Sequence, residues 1–133
     1  MISITTKSPY ALRALAELGR TGGDGPIPIG ELARRRDIPV QFLEQLFATL
    51  RRAGVLRSQR GVKGGYSFAR EPRQVTVLEV VETLEGALDS ETIGADPLWA
   101  EAVEALRSKL RAVTIADVAE REARAAGAAM YYI

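Results

Sequence analysis

Apolar residues recur at helical spacing between Pro39 and Gly54, and this is the clearest pattern in the chain. Four of them fall at i, i+3, i+4 and i+7 and so share one helix face: Leu43, Leu46, Phe47 and Leu50. The opposite face is polar or small: Gln41, Glu44, Gln45, Ala48 and Arg52. Pro39 suits a first helical turn and Gly54 a left-handed stop, so the pattern predicts an amphipathic helix with amide and carboxylate groups near its N-terminus.

A shorter helix is predicted just before this one. Ile29, Leu32 and Ala33 begin it, and the three arginines at 34–36 end it, since cations stabilise a helix C-terminus. The next three residues form a turn with Ile38 as its buried plug. Two helices joined by so short a turn predict a helix-turn-helix. The arginine run either serves this structural purpose, which is the interpretation we favour, or contacts a nucleic acid directly.

A β-hairpin is predicted directly after the two helices, with Val55–Ser58 and Tyr66–Ala69 as its strands. Three glycines in the connection allow tight turning and close approach to another surface: Gly61, Gly64 and Gly65. Two cations stand on the same connection: Arg60 and Lys63. A loop that cradles a nucleotide phosphate is the alternative. A basic wing is favoured because the loop joins two strands, lacks a Gly-Lys-Ser/Thr ending and opens no helix.

Another helix is predicted before this unit. Thr6 or Ser8 caps it, and its apolar stripe extends to about Arg20. Residues 21–28 then form a loop rich in glycine and proline. Thr6 and Lys7 stand at the helix N-terminus, a place that binds phosphate readily. The alternative for this pair is a plain cap with a solvated lysine.

Three more helices are predicted after the hairpin. Thr76 and Glu79 suggest a capping box at the start of a helix whose apolar stripe is Val77, Val80, Val81, Leu84 and Leu88. A polar loop over residues 86–97 follows. The helix from about residue 98 to 111 carries a heptad-like apolar stripe: Trp99, Ala102, Val103, Leu106, Leu110 and Val113. Thr114 then caps the last helix.

Composition narrows the chemistry that the chain can perform. Its 133 residues include no cysteine and no histidine. That excludes disulfides, zinc fingers, cysteine-held iron–sulfur clusters and histidine-dependent catalytic triads. No apolar run approaches the roughly 18 residues of a membrane span, and Met1–Ile4 does not lead into a signal peptide. We therefore expect a cytoplasmic protein that is not an enzyme and carries no cofactor.

The net charge of +1 conceals an uneven distribution. Residues 1–75 hold 13 Lys+Arg against 6 Asp+Glu, a net charge of +7, whereas residues 76–133 hold 5 against 11, a net charge of −6. A basic first half suits a chain that presents one end to a polyanion. Charges scattered over solvated faces are the alternative, but the basic hairpin favours a polyanion.

Several short motifs occur in one order along the chain: Thr6-Lys7, Tyr10–Leu15, Phe42–Phe47, Leu50–Gly54, Ser58–Gly61, Gly64–Tyr66, Val75–Val77, Leu84–Gly86 and Leu98-Trp99. Their order and spacing resemble the Rrf-two family of bacterial winged-helix transcription regulators. Cluster-binding members carry three cysteines before the Trp-bearing helix, whereas Ala87–Pro97 has none. The resemblance is therefore to the cysteine-free branch, which a protein partner or a small ligand regulates.

The resemblance implies a mainly α fold with a small β-hairpin. A winged helix-turn-helix domain would span residues 1–86, a linker loop 87–97, and a long dimerisation helix with a C-terminal helix 98–133. The implied partner is double-stranded DNA, held by Thr6, Lys7, Gln41, Glu44, Gln45, Arg52, Arg60, Gly61 and Lys63. The implied homodimer uses Trp99, Val103, Leu106 and Leu110. A repressor on a palindromic operator is expected, and a module that grips another protein is the alternative.

Overall fold

The computed structural model describes residues 4–21, 25–91 and 93–131. Within these ranges it contains six helices, a two-stranded antiparallel sheet and a 3-10 turn at Pro72–Gln74. The helices are α1 (Lys7–Arg20), α2 (Ile29–Arg36), α3 (Val40–Arg52), α4 (Val77–Glu85), α5 (Pro97–Arg111) and α6 (Ile115–Tyr131). The strands are β1 (Leu56–Gln59) and β2 (Gly65–Phe68). The predicted fold class, mainly helical with a small hairpin, is confirmed.

Helices α2 and α3 form the predicted helix-turn-helix. Asp37 takes a left-handed conformation with φ of 54°, and Ile38 is 5% exposed and plugs the turn. Pro39 lies just before α3 rather than within its first turn. Gly54, with φ of 83°, ends the helix, and the amide of Val55 donates to the Leu50 carbonyl at 3.0 Å. This hydrogen bond satisfies one of the carbonyls that a helix C-terminus leaves free.

The hairpin follows at once, each strand shifted by one residue from its predicted position. The register places Leu56 opposite Phe68 and Ser58 opposite Tyr66. Val55 lies at the junction, because its amide closes the end of α3 while its carbonyl accepts from the Ala69 amide at 3.0 Å, just outside the two strands. The hairpin therefore grows directly out of the helix end.

The loop predicted at residues 21–28 contains an ordered contact that the sequence pattern missed. Ile27 and Tyr66 form an antiparallel bridge, with N–O distances of 2.9 and 2.8 Å. Ile27 is 8% exposed and belongs to the hydrophobic core. The segment before α2 thus pairs with β2 on the edge opposite β1.

Capping interactions start the later helices. Thr76 accepts from the Glu79 amide at 3.1 Å, as predicted, but the Glu79 carboxylate pairs with Arg70 and does not return to Thr76. The reciprocal capping box is found at α6 instead. There the Thr114 amide donates to Asp117 at 2.9 Å, and the Asp117 amide donates to the Thr114 hydroxyl at 3.1 Å.

One hydrophobic core joins all parts of the described chain. Helix α6 packs along α1, and Val113 and Ile115 lie in the same core as the apolar faces of α1, α3 and α4. The division into a DNA-binding domain at 1–86, a linker at 87–97 and a dimerisation segment at 98–133 stays a prediction. None of the described helices has the length and apolar character needed to cross a membrane. Tyr132 and Ile133, the last two residues of the predicted segment 98–133, lie outside the described residues.

Candidate DNA-binding surface

Helix α3 exposes the polar face that the sequence predicts. Its apolar residues are buried at 4% exposure or less: Leu43, Leu46, Phe47 and Leu50. Its predicted contact residues are all exposed: Gln41, Glu44, Gln45 and Arg52. The Glu44 carboxylate forms no ion pair within the described residues, so its oxygens remain free to accept hydrogen bonds.

Two contacts hold the hairpin against this helix. The rings of Phe47 and Tyr66 meet edge to face with centroids 5.2 Å apart. Arg51 donates to the Ser58 hydroxyl at 3.3 Å. Aromatic pairs of this geometry add about 0.5–1.5 kcal/mol beyond their buried area. The helix face and the hairpin therefore form one packed unit.

The three glycines of the wing have different roles. A Cβ at Gly64 would lie 2.1 Å from the Gln59 carbonyl oxygen, and one at Gly65 would lie 2.3 Å from Ile27 backbone atoms. At these two positions glycine is needed because other backbone atoms of the same chain approach closely. At Gly61, with φ of 108°, a Cβ would meet nothing within 4 Å. Only Gly61 therefore leaves room for an outside surface to approach.

The arginine run of α2 is occupied by carboxylates. Arg34 and Arg35 both hydrogen bond to Glu31, which lowers the pKa of Glu31 to about 2, with Arg34 contributing most. Arg36 pairs with Glu17 of α1 at 2.9 Å and with Glu122 of α6. The structural interpretation of the run is thus supported. It ties α1, α2 and α6 together.

The cations on the predicted contact surface, unlike the arginines of α2, are not paired with carboxylates within the described residues. Lys7, Arg60 and Lys63 are exposed, and no ion pair involves them within the described residues. Arg52 is exposed too and donates only to the Thr49 hydroxyl, at 3.2 Å. These side chains keep their charge available to an external anion.

The N-terminus of α1 is closed by a distant carboxylate, which overturns one detail of the sequence interpretation. Thr6 holds the cap position without a side-chain hydrogen bond, and Ser8 is buried and donates to Glu85 of α4 at 2.9 Å. Glu85 also accepts from the amides of Thr5 and Ser8 at 2.8 and 3.4 Å. The Lys7 amide donates to the Thr5 hydroxyl at 3.2 Å. The amides of Thr5, Lys7 and Ser8 are therefore already occupied, whereas the side chains of Thr6 and Lys7 are exposed.

Glu85 makes a pH-dependent contribution to stability. Burial alone would raise its pKa, but the hydrogen bonds from Thr5 and Ser8 together outweigh it, and the pKa lies below the ordinary 4.5. The Glu85→Gln variant is expected to lose on the order of 1 kcal/mol of stability at neutral pH, because an amide cannot accept all these bonds. Because the folded-state pKa of Glu85 is lowered, its carboxylate contributes full stability above the unfolded-state pKa. This contribution is lost as the pH falls through the folded-state pKa.

Urea denaturation of wild type and variant over a falling pH series measures this difference. The two curves are expected to converge towards acid pH. Glu101→Gln is the matched control, since Glu101 is exposed on α5 and forms no ion pair within the described ranges. A difference that stays constant with pH would contradict the assigned role of Glu85.

The residues predicted at a dimer interface divide into two groups. Trp99 is 42% exposed at the start of α5, and its neighbour Leu98 is 57% exposed. Val103 is only 5% exposed, and Leu106 and Leu110 are half-buried against the protomer's own core. The later part of the stripe is therefore already packed within the protomer. The interface role of these residues stays a prediction.

Comparisons with known proteins agree with one another. The Rrf2 family model, described as an iron-dependent transcriptional regulator, matches residues 4–121. The transcriptional regulator CymR of Bacillus subtilis is 32% identical over 138 residues, which cover 99% of this chain and 100% of CymR. The CymR structure, that of the global cysteine regulator of B. subtilis, gives a TM-score of 0.83 at 31% identity and covers 91% of this chain and 98% of that one. The T. potens IscR structure gives 0.78 at 32% identity, covering 91% and 88%.

The matched family is described as iron-dependent, but this chain lacks the usual protein donors for an iron–sulfur cluster. The sequence offers no thiolate and no imidazole. Among the described residues, no group of three or more Asp or Glu side chains is placed to hold a metal ion. Iron–sulfur clusters in proteins are held by cysteine thiolates, with histidine as an occasional substitute. The residues present therefore do not fit such a cluster.

Proposed function

The chain belongs to the Rrf2 family of DNA-binding transcriptional regulators, and we propose that it acts as a homodimeric repressor on a palindromic operator. The relatives named above are transcriptional regulators, not enzymes. One observation carries the proposal for this chain. The exposed amide and carboxylate face of α3 is packed beside a wing whose Arg60 and Lys63 have no ion-pair partner in the described structure.

The polar face of α3 is proposed to read bases in the major groove. Gln41, Glu44 and Gln45 lie in the first half of the helix, the part that a recognition helix brings to the base edges. A carboxylate such as that of Glu44 can accept from cytosine N4, and a glutamine amide can pair with adenine N6 and N7. The three residues together suit a half-site that contains both G·C and A·T pairs.

The flanking cations and hydroxyls are proposed to hold phosphates. Lys7, Arg52 and Lys63 supply charge, and Thr6 supplies a hydroxyl. Such contacts set the register of the protein on the duplex without reading sequence. The wing tip, with Arg60 and Gly61, is assigned to the neighbouring minor groove, because a narrow minor groove concentrates negative potential that attracts arginine.

The dimer is proposed to form through the open face at the start of α5. Leu98 and Trp99 are two of the five large apolar side chains that the described surface exposes. Ala102 and Ala105 continue an exposed small apolar face along the helix. Exposed apolar patches of this kind mark association sites. Two-fold pairing of this face would present two recognition helices to two half-sites.

Leu98→Asp is expected to convert the dimer into a monomer, because a buried carboxylate at an apolar interface lacks a partner. Loss of the second half-site should then weaken operator binding on the order of 100-fold. Ala100→Asp is the matched control, since Ala100 is exposed on the opposite side of α5. Sedimentation at about micromolar concentration measures the conversion of dimer to monomer, because the dimer fraction depends on protomer concentration. A monomeric wild type there would exclude the proposed dimer.

The regulatory signal is proposed to come from a protein partner or a small ligand rather than a metal cluster, because cysteine and histidine are absent. An open groove of about 640 Å³ lies between the end of α1, the 3-10 turn and α6 and is proposed as the place for a small ligand. Its lining combines small residues such as Gly19, Ala116 and Ala119 with charged residues such as Arg20 and Glu120. DNA binding also places the protein in the cytoplasm, where bacterial DNA is found.

Selection of bound duplexes from a random pool tests the proposal. Two inverted half-sites one or two helical turns apart are expected among the selected sequences. The affinity for a selected duplex should fall steeply with salt, with a slope of about −0.9 for each phosphate contacted. A flat salt response beside a stable complex with another protein would support the interaction-module alternative and overturn this proposal.

A further inference from the structure

An apolar side chain stands fully exposed at the tip of the basic wing. The described surface exposes five large apolar side chains, and Val62 is the most exposed of them at 103% of its reference area. It therefore packs on nothing in the protomer. Its neighbours on the tip are Arg60, Gly61 and Lys63, all of them exposed. A polar residue would serve a solvated turn better, so the valine points to a contact made outside the protomer.

The turn holds Val62 in a defined position. The Gly64 amide donates to the Gly61 carbonyl at 3.0 Å and closes the tip. Gly64 is itself buried, and a Cβ there would lie 2.1 Å from the Gln59 carbonyl oxygen. The base of the tip is thus packed tightly, while Val62 projects from it between two cations.

The minor groove offers surfaces that match this arrangement. Phosphates line its edges, where Lys63 would find its partner, and its negative potential attracts Arg60 into the groove. Apolar sugar surfaces form its walls. On its floor, A·T pairs show only acceptors, whereas G·C pairs add the 2-amino donor of guanine. A valine side chain has no acceptor for that amino group, and covering it leaves a polar group without a partner.

Resting on the proposed DNA-binding function, we infer that Val62 is a specificity-determining residue of the wing. It packs against the sugar walls of the minor groove and selects against guanine at the base step that it covers. In this division of roles, Lys63 holds a phosphate, Arg60 responds to the width and negative potential of the groove, and Val62 supplies discrimination by the 2-amino group.

Inosine provides the test, because an I·C pair has the major groove of G·C and lacks the 2-amino group. In a duplex taken from the random pool, the A·T pairs under the wing are replaced by G·C and then by I·C. Wild-type affinity is expected to fall about tenfold on G·C and to recover on I·C. Val62→Thr, with nearly the same shape and a hydroxyl, is expected to bind both duplexes alike. Its salt slope should equal that of wild type, since no charge is lost.

The choice of variant and one control isolate the effect. Val62→Thr leaves Arg60 unchanged, so a lost preference belongs to Val62. Val40→Thr changes an exposed valine at the start of α3, 41% exposed, and should alter binding to G·C and I·C duplexes equally because their major grooves match. Equal wild-type affinity for G·C and I·C, or an unchanged preference in Val62→Thr, overturns the inference. Failure to select any duplex would instead overturn the DNA-binding proposal itself.

Discussion

Replacing Arg60 with alanine is expected to weaken binding to a specific duplex by about 1–3 kcal/mol for each wing, or roughly 5- to 150-fold. Arg60 is exposed, and no carboxylate pairs with it in the described structure, so its guanidinium is free to enter a minor groove. A dimer presents two wings, and distant sites act nearly additively, so the full effect reaches about 2–6 kcal/mol. Specificity should relax at the positions where the wing inserts.

Titrations of wild type and variant against a selected duplex and a scrambled duplex measure both changes. Arg73→Ala is the matched control, because it removes the same charge from a residue that is paired with Glu71 at 2.5 Å outside the proposed surface. Lys63→Ala should weaken both duplexes alike, as expected for a phosphate contact. Equal affinity of wild type and Arg60→Ala for the selected duplex would count against the wing assignment.

Gly65→Ala is expected to destabilise the protein by on the order of 3 kcal/mol. The added Cβ would lie 2.3 Å from the carbonyl carbon and oxygen of Ile27, and the φ of +149° is one that side chains rarely adopt. The backbone atoms it meets cannot turn aside. Relief of the clash therefore requires Ile27 to separate from Tyr66, with loss of both bridge hydrogen bonds.

Urea denaturation of the purified variant measures this loss. Gly30→Ala serves as its control, since Gly30 lies in α2 with nothing within 4 Å of its added Cβ. That variant is expected to gain up to about 1 kcal/mol from the better helix propensity of alanine. A Gly65→Ala protein as stable as wild type would mean that the segment before α2 does not pack against the hairpin.

Local patterns in the sequence were sufficient where the deciding contacts are local. The stripe of Leu43, Leu46, Phe47 and Leu50 predicted α3, and Gly54 predicted its end, because helical neighbours lie three and four residues apart. The hairpin was also predicted to within one residue of each strand, because its two strands are joined by a short glycine-rich turn. The cap at Thr76 was also correct, since its partner lies three residues ahead.

Contacts between distant segments were missed. The bridge of Ile27 to Tyr66 and the closure of α1 by Glu85 join residues far apart in sequence. Periodicity carries no information about such pairs. An isoleucine between two prolines, at positions 26 and 28, was the one local sign that the loop contained a buried residue.

The sequence by itself determined the order of helix, turn, helix and basic wing, the absence of thiolate and imidazole donors, and the basic first half. Only the tertiary structure decided which charges remain available. Glu17 of α1 pairs with Arg35 and Arg36, and Glu122 of α6 also pairs with Arg36. Arg60 and Lys63 are left free within the described residues. The reason is physical: apolar periodicity is set by near neighbours along the chain, whereas pairing and burial depend on groups that only folding brings together.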